Sequence, residues 1–537
     1  MTQHTGDAAR IDAQVQEWVS AYSGHSIAVA DLLCDRFADD GENVALFYED
    51  DEGREEELTF ARLRELSASF AGTLQELGIG KGDRVATLLP KSPELMVTLL
   101  GIWRLGAVHV PLFTALGPEA VGYRLDDSGA KVVVTNQVHR DKTGEGGEAR
   151  VVVVDVSFEE ALRLADPVEE PVSVSGEDPV IQFYTSGTEG NPKGVVYPVK
   201  ALAAIEAYMR FGLDLREDDF YWNMADPGWA YGLGIGVVGA FLLGNSTLWV
   251  DAPFDPEDTY RVIQKYGVTN LAAAPTAYRA LRSATDRDSG GLNLRVASSA
   301  GEPLNPGVIE WARQSLGVEI RDHYGQTEVT MVVNNYHHPA LARPLQPGSM
   351  GHPMPGFRVV VVDENANELG PGEQGQVAID TRNSPLFWFG GYYQDPERTA
   401  ARFSEDKRYY LTGDSATYDE DDYFCFSGRS DDIILSAGYR IGPFEVESAL
   451  LSHPAVAEAA VVGKPDELRG ELVVAFAVPA GGQRPSEELA EELKQHVKSS
   501  LAAHAYPRET HFREELPKTP SGKIQRFLLR SEAEQDN

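Results

Sequence analysis

Cysteine is scarce in this chain. Its 537 residues include only two, Cys34 and Cys425. Two cysteines cannot build a disulfide framework or a cysteine-rich zinc site, and their scarcity fits a reducing compartment. Long apolar runs are lacking too, since the longest, at 234–244, is far shorter than the roughly 20 residues that span a bilayer. Residues 1–18 are polar and have no signal-peptide pattern. We therefore expect a soluble, cytoplasmic protein with no integral membrane segment.

Basic residues are few relative to acidic ones. The chain has 47 Lys and Arg against 83 Asp and Glu, which gives a formal net charge of −36. Phosphates are repelled by such a surface, so we expect no nucleic-acid partner and no anionic membrane partner. Any anionic substrate must then be bound by a local cluster of donors.

The hydrophobic residues are sufficient for a packed core and follow an alternating pattern. They make up 42% of the chain. Apolar side chains at three- and four-residue steps from Leu63 to Leu77 predict a helix over 60–77 that ends at Gly78. Further helices are predicted over 93–105 and 117–127. Apolar strands are predicted over 84–90, 108–112, 131–135, 151–156, 179–184 and 292–297. This alternation predicts an α/β fold with parallel sheet layers.

The last hundred residues have a different pattern. Two β-type runs, at 456–462 and 472–478, precede a helix for which Ser486 is a good N-cap. This predicts a compact α+β unit. We therefore expect two domains, residues 1–430 and residues 431–537.

A loop rich in glycine and hydroxyl groups follows the strand predicted at 179–184. Residues 184–194 read YTSGTEGNPKG. Backbone N–H groups, hydroxyls and a lysine in such a loop can surround phosphate oxygens. The spacing is not that of a Walker A motif. We interpret the segment as a phosphate-binding loop; a plain surface loop is the alternative.

Four more polar motifs follow. They are DHYGQTE at 322–328, YLTGD at 410–414, GRSDD at 428–432 with its continuation to Glu447, and PKTPSGK at 517–523. In the first, an aromatic ring can stack on a base and a carboxylate can hold a divalent metal. Each motif alone could be a solvated turn.

In this order and spacing, the five motifs resemble the AMP-forming superfamily of acyl- and aryl-CoA synthetases, peptide-synthetase adenylation domains and luciferases. The resemblance runs from about Asp31 to Arg530. The segments ADPGW at 225–229 and AGEP at 300–303 are most similar to the acetyl-CoA and medium-chain acyl-CoA synthetase branch.

The resemblance implies a reaction and a fold. A carboxylic acid and ATP would give an acyl adenylate and pyrophosphate, and transfer to CoA would then give acyl-CoA and AMP. The fold implied is a large multi-subdomain N-terminal α/β domain, with layered sheets and a small β-barrel, followed by a small mobile C-terminal α+β domain.

The resemblance also implies nucleotide-binding residues. Those at the β- and γ-phosphates would be Thr185, Ser186, Gly187, Thr188 and Lys193. Those around the adenine would be Gly301, Glu302 and Pro303 on one side, and Asp322, His323 and Tyr324 on the other. The remaining ATP and AMP contacts would come from Gln326, Thr327 at the α-phosphate, Asp414 at the ribose hydroxyls, Arg429 and Arg440. Glu328 would hold Mg²⁺, and Lys523 would reach both the α-phosphate and the attacking carboxylate, so the catalytic residues would be Lys523, Thr327 and Glu328.

Three further positions concern the second half-reaction. Asp431 matches the hinge about which the C-terminal domain would turn. Gly438 would lie against the pantetheine arm of CoA, where a side chain would block the path. Lys498 is a candidate for binding the nucleotide end of CoA.

The acyl pocket implied by the resemblance consists of Trp229, Ala230, Tyr231, Ala300 and Gly325. Acetate-specific members have a tryptophan where this chain has Gly325, so we expect a longer cavity here. Each buried CH₂ contributes about 0.8 kcal/mol, so several methylenes would decide selectivity. We therefore predict a short- to medium-chain or branched acid rather than acetate, and expect Gly325→Trp to shift preference toward acetate.

Two alternatives stay open. The first is a free-standing adenylation enzyme that loads a carrier protein; Ala230, where amino-acid-activating members have an aspartate, disfavours an amino-acid substrate. The second is a non-catalytic nucleotide-binding protein. The resemblance also implies that lysine-acylating and deacylating enzymes act on Lys523. The sequence leaves monomer and homodimer open.

Overall fold

The structure of the protein is a computed structural model. It describes residues 2–38, 41–144, 149–155, 158, 162, 165–185, 191–284, 291–346, 348–437, 439–466, 468–501, 505–518 and 523–535. Within these ranges, the helices fall short of the length and apolarity that crossing a membrane requires.

The strands of the described residues form five sheets. In chain order they are β1 Ile27–Ala28, β2 Val44–Asp50, β3 Glu55–Thr59, β4 Arg84–Leu88, β5 Val108–Pro111, β6 Val132–Thr135, β7 Arg150–Val153, β8 Ser173–Val174, β9 Pro179–Thr185, β10 Lys193–Pro198, β11 Tyr221–Asn223, β12 Thr247–Asp251, β13 Asn270–Ala273, β14 Val296–Ala300, β15 Ile320–Gln326, β16 Thr330–Asn334, β17 Ser349–Pro353, β18 Val359–Val362, β19 Gly375–Asp380, β20 Tyr409–Tyr418, β21 Phe424–Arg429, β22 Ile434–Ser436, β23 Tyr439–Ile441, β24 Val456–Asp466, β25 Gly470–Pro479 and β26 Glu509–Phe512.

Helices connect and cover these strands. The α-helices of the described residues are Thr2–Tyr22, Val29–Leu33, Phe60–Glu76, Pro93–Arg104, Pro118–Ser128, Leu202–Ala207, Ala240–Leu242, Pro256–Tyr266, Pro275–Ala284, Pro306–Ser315, Pro396–Ala400, Pro443–Leu451, Glu487–Ser500 and Arg526–Gln535. Tyr208–Gly212 and Tyr231–Gly239 are π-helical, and Asp35–Phe37, Arg140–Thr143 and Val199–Ala201 are 3₁₀ turns.

The six-stranded sheet has the order β10-β9-β5-β4-β6-β7. All its pairs are parallel except β9 with β10. The helix Phe60–Glu76 starts at Thr59, whose hydroxyl accepts a hydrogen bond from the Arg62 N–H, and Gly78 beyond its end has φ 83°. This confirms the predicted helix, the strand–helix alternation and the parallel layer.

The ten-stranded sheet has the order β11-β13-β14-β15-β16-β17-β21-β20-β19-β18. It is parallel from β11 to β15 and antiparallel from β15 onward. The resemblance implied a small β-barrel in the N-terminal domain; within the described residues the antiparallel strands of this sheet pair as a path with two ends. The strand predicted at 292–297 begins later, at Val296, and the N–H groups of Arg295 and Val296 both donate to the Thr269 carbonyl.

The last sheet uses only C-terminal strands, with order β23-β22-β25-β24 and β26 beside β25. The two predicted β-type runs pair antiparallel as β24 and β25. Ser486 caps the helix Glu487–Ser500 by accepting a hydrogen bond from the Leu489 N–H at 3.1 Å. The side chains of this unit form hydrophobic clusters of their own, so the chain has a large N-terminal α/β part and a small C-terminal α+β part.

Candidate active site

The carboxyl ends of β14 and β15 lie side by side and carry two of the polar motifs. The strands are parallel, with Ala300 opposite His323. Ligand sites of parallel sheets form at this edge. Gly301 follows β14 with φ 98°, a value that favours glycine. The carboxylate of Glu302 accepts hydrogen bonds from Arg279 and Thr276, so it is held by the helix Pro275–Ala284.

Asp322 is a buried carboxyl group at this edge. Its Oδ2 accepts a hydrogen bond from the Leu304 N–H at 3.2 Å. Its Oδ1 is buried and has no partner among the described residues. Burial, partly offset by backbone hydrogen bonds, raises the pKa of Asp322 to about 8. A buried oxygen without a partner is costly and suits a hydrogen-bonding ligand.

His323, which the resemblance places beside the adenine, has both of its ring nitrogens in hydrogen bonds within the protein. Its Nε2 lies 3.0 Å from the Asn335 carbonyl, and its Nδ1 lies 2.7 Å from the Tyr208 hydroxyl. A carbonyl only accepts, so Nε2 carries the hydrogen and Nδ1 accepts from Tyr208. Burial lowers the pKa of His323 to about 3, which keeps the ring neutral. Both ring nitrogens are therefore used within the protein, which leaves neither of them for the adenine.

Asp414 connects the second polar motif to the third. Its Oδ2 accepts hydrogen bonds from the Tyr324 hydroxyl and from Gln326 Nε2, each at 2.6 Å. Arg429 Nη1 lies 3.5 Å from its Oδ1, across paired strands β20 and β21. Burial raises the pKa of Asp414, while Arg429, Tyr324 and Gln326 act in the opposite direction. The structure thus brings four predicted nucleotide residues together.

Thr327 and Glu328 lie on the tight turn between β15 and β16. The turn is closed by a hydrogen bond from the Val329 N–H to the Gln326 carbonyl at 3.1 Å. The Thr327 carbonyl accepts from the Tyr197 hydroxyl at 2.6 Å. Glu328 is buried, and its Oε1 accepts from the Tyr392 hydroxyl at 2.8 Å. The turn therefore holds a hydroxyl and a carboxylate in fixed positions.

The predicted phosphate loop joins two antiparallel strands. Thr185 ends β9 and is paired with Lys193, the first residue of β10. Ser186, Gly187 and Thr188 lie outside the described residues. The Lys193 ammonium lies 5.0 Å from the centroid of the Tyr392 ring. Burial and the charges of Arg402 and Arg398 lower the pKa of Lys193. A local cationic cluster thus exists on a strongly acidic protein, as expected for an anionic substrate.

Gly325 has no room for a side chain. A Cβ at this position would lie 2.0 Å from the Thr330 carbonyl oxygen and 2.7 Å from the Met331 Cα. The reason is the register shift between Tyr324 and Gly325, which brings β15 against the backbone of β16. The expectation that Gly325→Trp would simply fill an open pocket is therefore corrected: any side chain here must displace β16.

The other predicted acyl-pocket residues lie near aromatic groups. The rings of Trp229 and Phe113 are 5.3 Å apart. The Tyr231 hydroxyl lies 3.4 Å from that of Tyr208, the residue that hydrogen-bonds His323. Ala230 follows Trp229, and Ala300 is buried at the end of β14. Tyr231 is thus linked through Tyr208 to the middle of β15.

The predicted C-terminal residues are placed differently from one another. Lys523 is exposed and precedes the helix Arg526–Gln535. Burial alone would lower the pKa of Arg526, but Glu447, Asp432 and Glu302 together raise it. Since Glu302 follows β14, the start of this helix is close to the nucleotide residues.

Of the remaining C-terminal positions that the structure describes, Asp431 contacts Arg429, whereas Arg440 and Lys498 make contacts elsewhere. Arg440 is exposed, and its Nη1 lies 3.8 Å from Glu364 Oε1, at a turn beyond β18. The Lys498 ammonium lies 5.7 Å from the centroid of the Tyr506 ring. The Arg429 Nε donates to Asp431 Oδ1 at 3.3 Å. Gly438 lies outside the described residues.

Two residues that sequence reasoning missed lie within this group. Tyr392 contacts both Lys193 and Glu328, and Arg402 donates to the Tyr392 hydroxyl at 3.0 Å. Neither belongs to a motif. The only sequence signal is an aromatic pair after two glycines at 390–393, which by itself indicates a turn.

Comparison with known proteins shows the family to which the chain belongs. The family model described as AMP-binding enzyme matches residues 34–393, and that of the AMP-binding enzyme C-terminal domain matches residues 445–523. An acetyl-coenzyme A synthetase of Bacillus subtilis (strain 168) is 40% identical over 505 residues, covering 91% of this chain and 87% of that protein.

Two further proteins are similar over most of their length. The human mitochondrial acyl-coenzyme A synthetase ACSM4 is 37% identical over 514 residues, covering 91% of this chain and 87% of that protein. The crystal structure of a Brucella canis acyl-CoA synthetase is 49% identical, with a TM-score of 0.74 and 95% of each chain covered. The chain therefore belongs to the AMP-binding enzyme family, and within it to the AMP-forming acyl-CoA synthetases.

Proposed function

We propose that this protein converts a carboxylic acid, ATP and CoA into an acyl-CoA, AMP and pyrophosphate, with a short- to medium-chain or branched acid as the preferred substrate. The observation that carries the proposal is the arrangement around Tyr392. The Lys193 ammonium lies over the face of this ring, and the tyrosine hydroxyl donates to Glu328. Glu328 lies on the turn that follows β15, the strand whose Tyr324 hydroxyl donates to Asp414. Lys193 would bind the phosphates, Glu328 a metal ion and Asp414 the ribose. These three groups, in this order, suit a nucleoside triphosphate.

We propose that the adenine and ribose are bound at the strand edge. The adenine amino group is a donor that fits the Asp322 Oδ1, which is buried without a partner in the described residues. The ribose hydroxyls would donate to Asp414, whose Oδ1 lies 3.5 Å from Arg429 Nη1, at the outer limit of a hydrogen bond. Tyr324 and Gln326 would hold that carboxylate in place.

Glu328 fits the role of a magnesium ligand. It is buried, and Tyr392 occupies one of its two carboxylate oxygens. The described residues contain no group of three or more His, Cys, Asp or Glu arranged as a metal cage. One carboxylate together with substrate phosphates is a typical set of Mg²⁺ ligands. Bound Mg²⁺ would neutralise phosphate charge during attack on the α-phosphate.

The protein's part in adenylation is then charge compensation and alignment. The attacking carboxylate and the α-phosphate are both anionic, so they repel each other. Lys523 would lie between them, and the Thr327 hydroxyl would donate to the α-phosphate. Lys193 would stabilise the departing pyrophosphate. No nucleophilic side chain is required, because the carboxylate itself attacks.

Thioester formation would require the C-terminal unit, residues 431–537, to turn. We propose that Asp431 is the hinge, and that Gly438 then lies beside the pantetheine arm of CoA. Asp431 directly follows the last residues of the ten-stranded sheet and precedes β22, the first strand of the C-terminal sheet. The CoA thiol would attack the acyl carbonyl and release AMP. Lys498 would bind the nucleotide end of CoA.

The preference for acids longer than acetate rests on the residues around Trp229. Ala230 and Ala300 are small, and the strand approach at Gly325 excludes a side chain that could close the pocket. The Tyr231 hydroxyl lies 3.4 Å from the Tyr208 hydroxyl, and we propose that this ring forms one wall of the acyl pocket. Each additional CH₂ that finds apolar contact would contribute about 0.8 kcal/mol.

AMP formation from ATP and Mg²⁺ tests the proposal. The acids would run from acetate through octanoate, branched acids and benzoate, each with and without CoA. We expect AMP only when an acid and CoA are both present, with a maximum beyond acetate. Lys523→Gln should abolish turnover, whereas Lys518→Gln, an equal charge change at a residue paired with Glu458, should not. Sub-stoichiometric pyrophosphate without a CoA effect would favour the alternative, a carrier protein as acceptor.

Lys523 is also a candidate for reversible acylation. It is exposed, so a modifying enzyme can reach it, and acylation would remove its charge. Intact-mass analysis of protein purified with and without deacylase treatment would detect a modified fraction. Absence of that fraction after exposure to an acyl donor and an acylating enzyme would contradict this proposal.

A further inference from the structure

Arg402 is a cationic side chain at the candidate active site that belongs to none of the five motifs. It follows the helix Pro396–Ala400 and is partly buried. Its Nε donates to the Tyr392 hydroxyl at 3.0 Å, and its Nη1 donates to the Thr412 carbonyl at 3.1 Å. A Cβ on Gly413 would lie 2.7 Å from the same Nη1. Arg402 thus lies against the segment that leads to Asp414.

Three charged residues meet on Tyr392. Arg402 donates to its hydroxyl, that hydroxyl donates to Glu328, and the ring lies under Lys193. The charge of Arg402 is the largest cause after burial of the lowered pKa of Lys193. The two cations are therefore close enough to repel each other, which costs free energy until an anion lies between them.

The guanidinium has donors to spare. Among the described residues, two of its five N–H groups have acceptors, the Tyr392 hydroxyl and the Thr412 carbonyl. Among the residues that the structure describes, no carboxylate forms an ion pair with it, whereas the nearby Arg398 is paired with Asp395 and Arg429 with Asp414. The carboxylate whose charge raises the pKa of Arg402 is that of Glu328, which the Tyr392 hydroxyl bridges to the guanidinium. Phosphate oxygens match the planar donor set of arginine.

We propose that Arg402 is a phosphate-binding residue of the nucleotide site, which contacts the pyrophosphate half of ATP and, through Tyr392, positions Glu328. This inference rests on the proposed function. We assign Arg402 to the pyrophosphate half because Arg402 and Lys193 both contact Tyr392, and Lys193 is the residue assigned to the β- and γ-phosphates. The role has two separable parts, a direct contact with phosphate and an indirect one through the tyrosine hydroxyl.

Calorimetric binding of inorganic pyrophosphate, ATP and AMP, each with Mg²⁺, tests the direct contact. In the full-length enzyme, Arg402→Gln should weaken pyrophosphate and ATP by about tenfold or more, as expected for a charge-assisted hydrogen bond. AMP should change by less than about twofold, because it lacks these phosphates. Arg382→Gln is the matched charge control, since Arg382 is exposed and paired only with Asp406 in the described part of the chain.

Two more variants separate the two parts of the role. Arg402→Lys keeps the charge and should retain part of the pyrophosphate affinity, and it replaces Arg402→Gln if that variant fails to fold. Tyr392→Phe removes the bridging hydroxyl and should raise the Mg²⁺ concentration for half-maximal turnover while keeping most of the pyrophosphate affinity.

The proposal would be overturned in three ways. Arg402→Gln could match the Arg382→Gln control, AMP affinity could fall as much as ATP affinity, or Tyr392→Phe could reproduce the whole loss of pyrophosphate affinity. Wild-type enzyme without acid-dependent turnover would instead refute the proposed function, and the binding comparison would still decide the role of Arg402.

Discussion

The Tyr324 hydroxyl donates a hydrogen bond of 2.6 Å to Asp414 Oδ2, although 90 residues separate the two along the chain. The contact joins the aromatic motif at the end of β15 to the acidic motif on β20. The hydrogen bond holds a buried carboxylate in place. Burial raises the pKa of this carboxylate, and the neighbouring side chains lower it. The orientation of Asp414, which we propose binds the ribose, therefore depends on Tyr324, whose ring we propose lies beside the adenine.

Loss of that hydrogen bond should weaken nucleotide binding as a whole. Tyr324→Phe keeps the ring and removes one hydrogen bond to a charged group, which costs about 1.5–3 kcal/mol. We expect ATP and AMP affinities to fall about tenfold each, whereas pyrophosphate affinity stays unchanged. Calorimetric titration of the three ligands measures this, and a selective loss of pyrophosphate affinity would contradict it.

Gly325 should tolerate no side chain. Because a Cβ would lie 2.0 Å from the Thr330 carbonyl, Gly325→Ala should destabilise the protein by about 1–3 kcal/mol, the usual range for overpacking. Gly234→Ala is the matched control, since a Cβ there meets nothing within 4 Å. Scanning calorimetry should show a lower unfolding temperature for Gly325→Ala alone. Equal unfolding temperatures in both variants would mean that β16 moves at little cost.

Asp322 should make the ligand-free protein less stable as pH rises. Its pKa is raised from an ordinary 3.8 to about 8, mainly by burial. Between these two pH values the folded state holds a proton that the unfolded chain releases, so the contribution of Asp322 to stability is full below about pH 4 and is lost as pH rises toward 8. Asp322→Asn removes this titration. The free energy of unfolding of the variant minus that of wild type should therefore increase with pH, by up to about 1.4 kcal/mol for each pH unit.

Urea unfolding of both proteins at pH 5, 6.5 and 8, without nucleotide, measures the effect. The difference between variant and wild type isolates Asp322 from other titrating groups. A difference that is constant across this range would show that Asp322 is ionised throughout in the folded protein.

Asp431→Pro should separate the two half-reactions. Proline fixes φ near −65° and would restrict the proposed turning of the C-terminal unit. Acid-dependent ATP–pyrophosphate exchange should remain within a few fold of wild type, while acyl-CoA formation should fall by two orders of magnitude or more. Asp431→Asn, which removes the charge facing Arg429 but keeps backbone freedom, should retain both. Equal loss of both half-reactions in Asp431→Pro would contradict the hinge assignment.

Local sequence patterns predicted the elements of this fold well. The leucine spacing of 60–77 and the cap at Ser486 are decided within one or two helical turns. The parallel strands are short and apolar on both faces, which is how buried α/β strands read. The roles of Asp322, Gln326 and Glu328 were expected from the family resemblance of their motif, whereas the strand that carries the motif, β15, was not predicted.

Features that depend on distant contacts could not be predicted in this way. Tyr392 and Arg402 reach Glu328 from a segment more than 60 residues further along the chain. The tight approach at Gly325 arises from a one-residue register shift that only strand pairing reveals. The direction of the His323 ring depends on Tyr208 and Asn335, which lie on other elements.

The central claim is that the substrate carboxylate attacks the α-phosphate of ATP. The most direct test is turnover of an acid labelled with ¹⁸O in both carboxylate oxygens, followed by mass analysis of the products. Attack at the α-phosphate and release by the CoA thiol leave one labelled oxygen in AMP and none in pyrophosphate. Unlabelled AMP, or label in pyrophosphate or inorganic phosphate, would contradict the account.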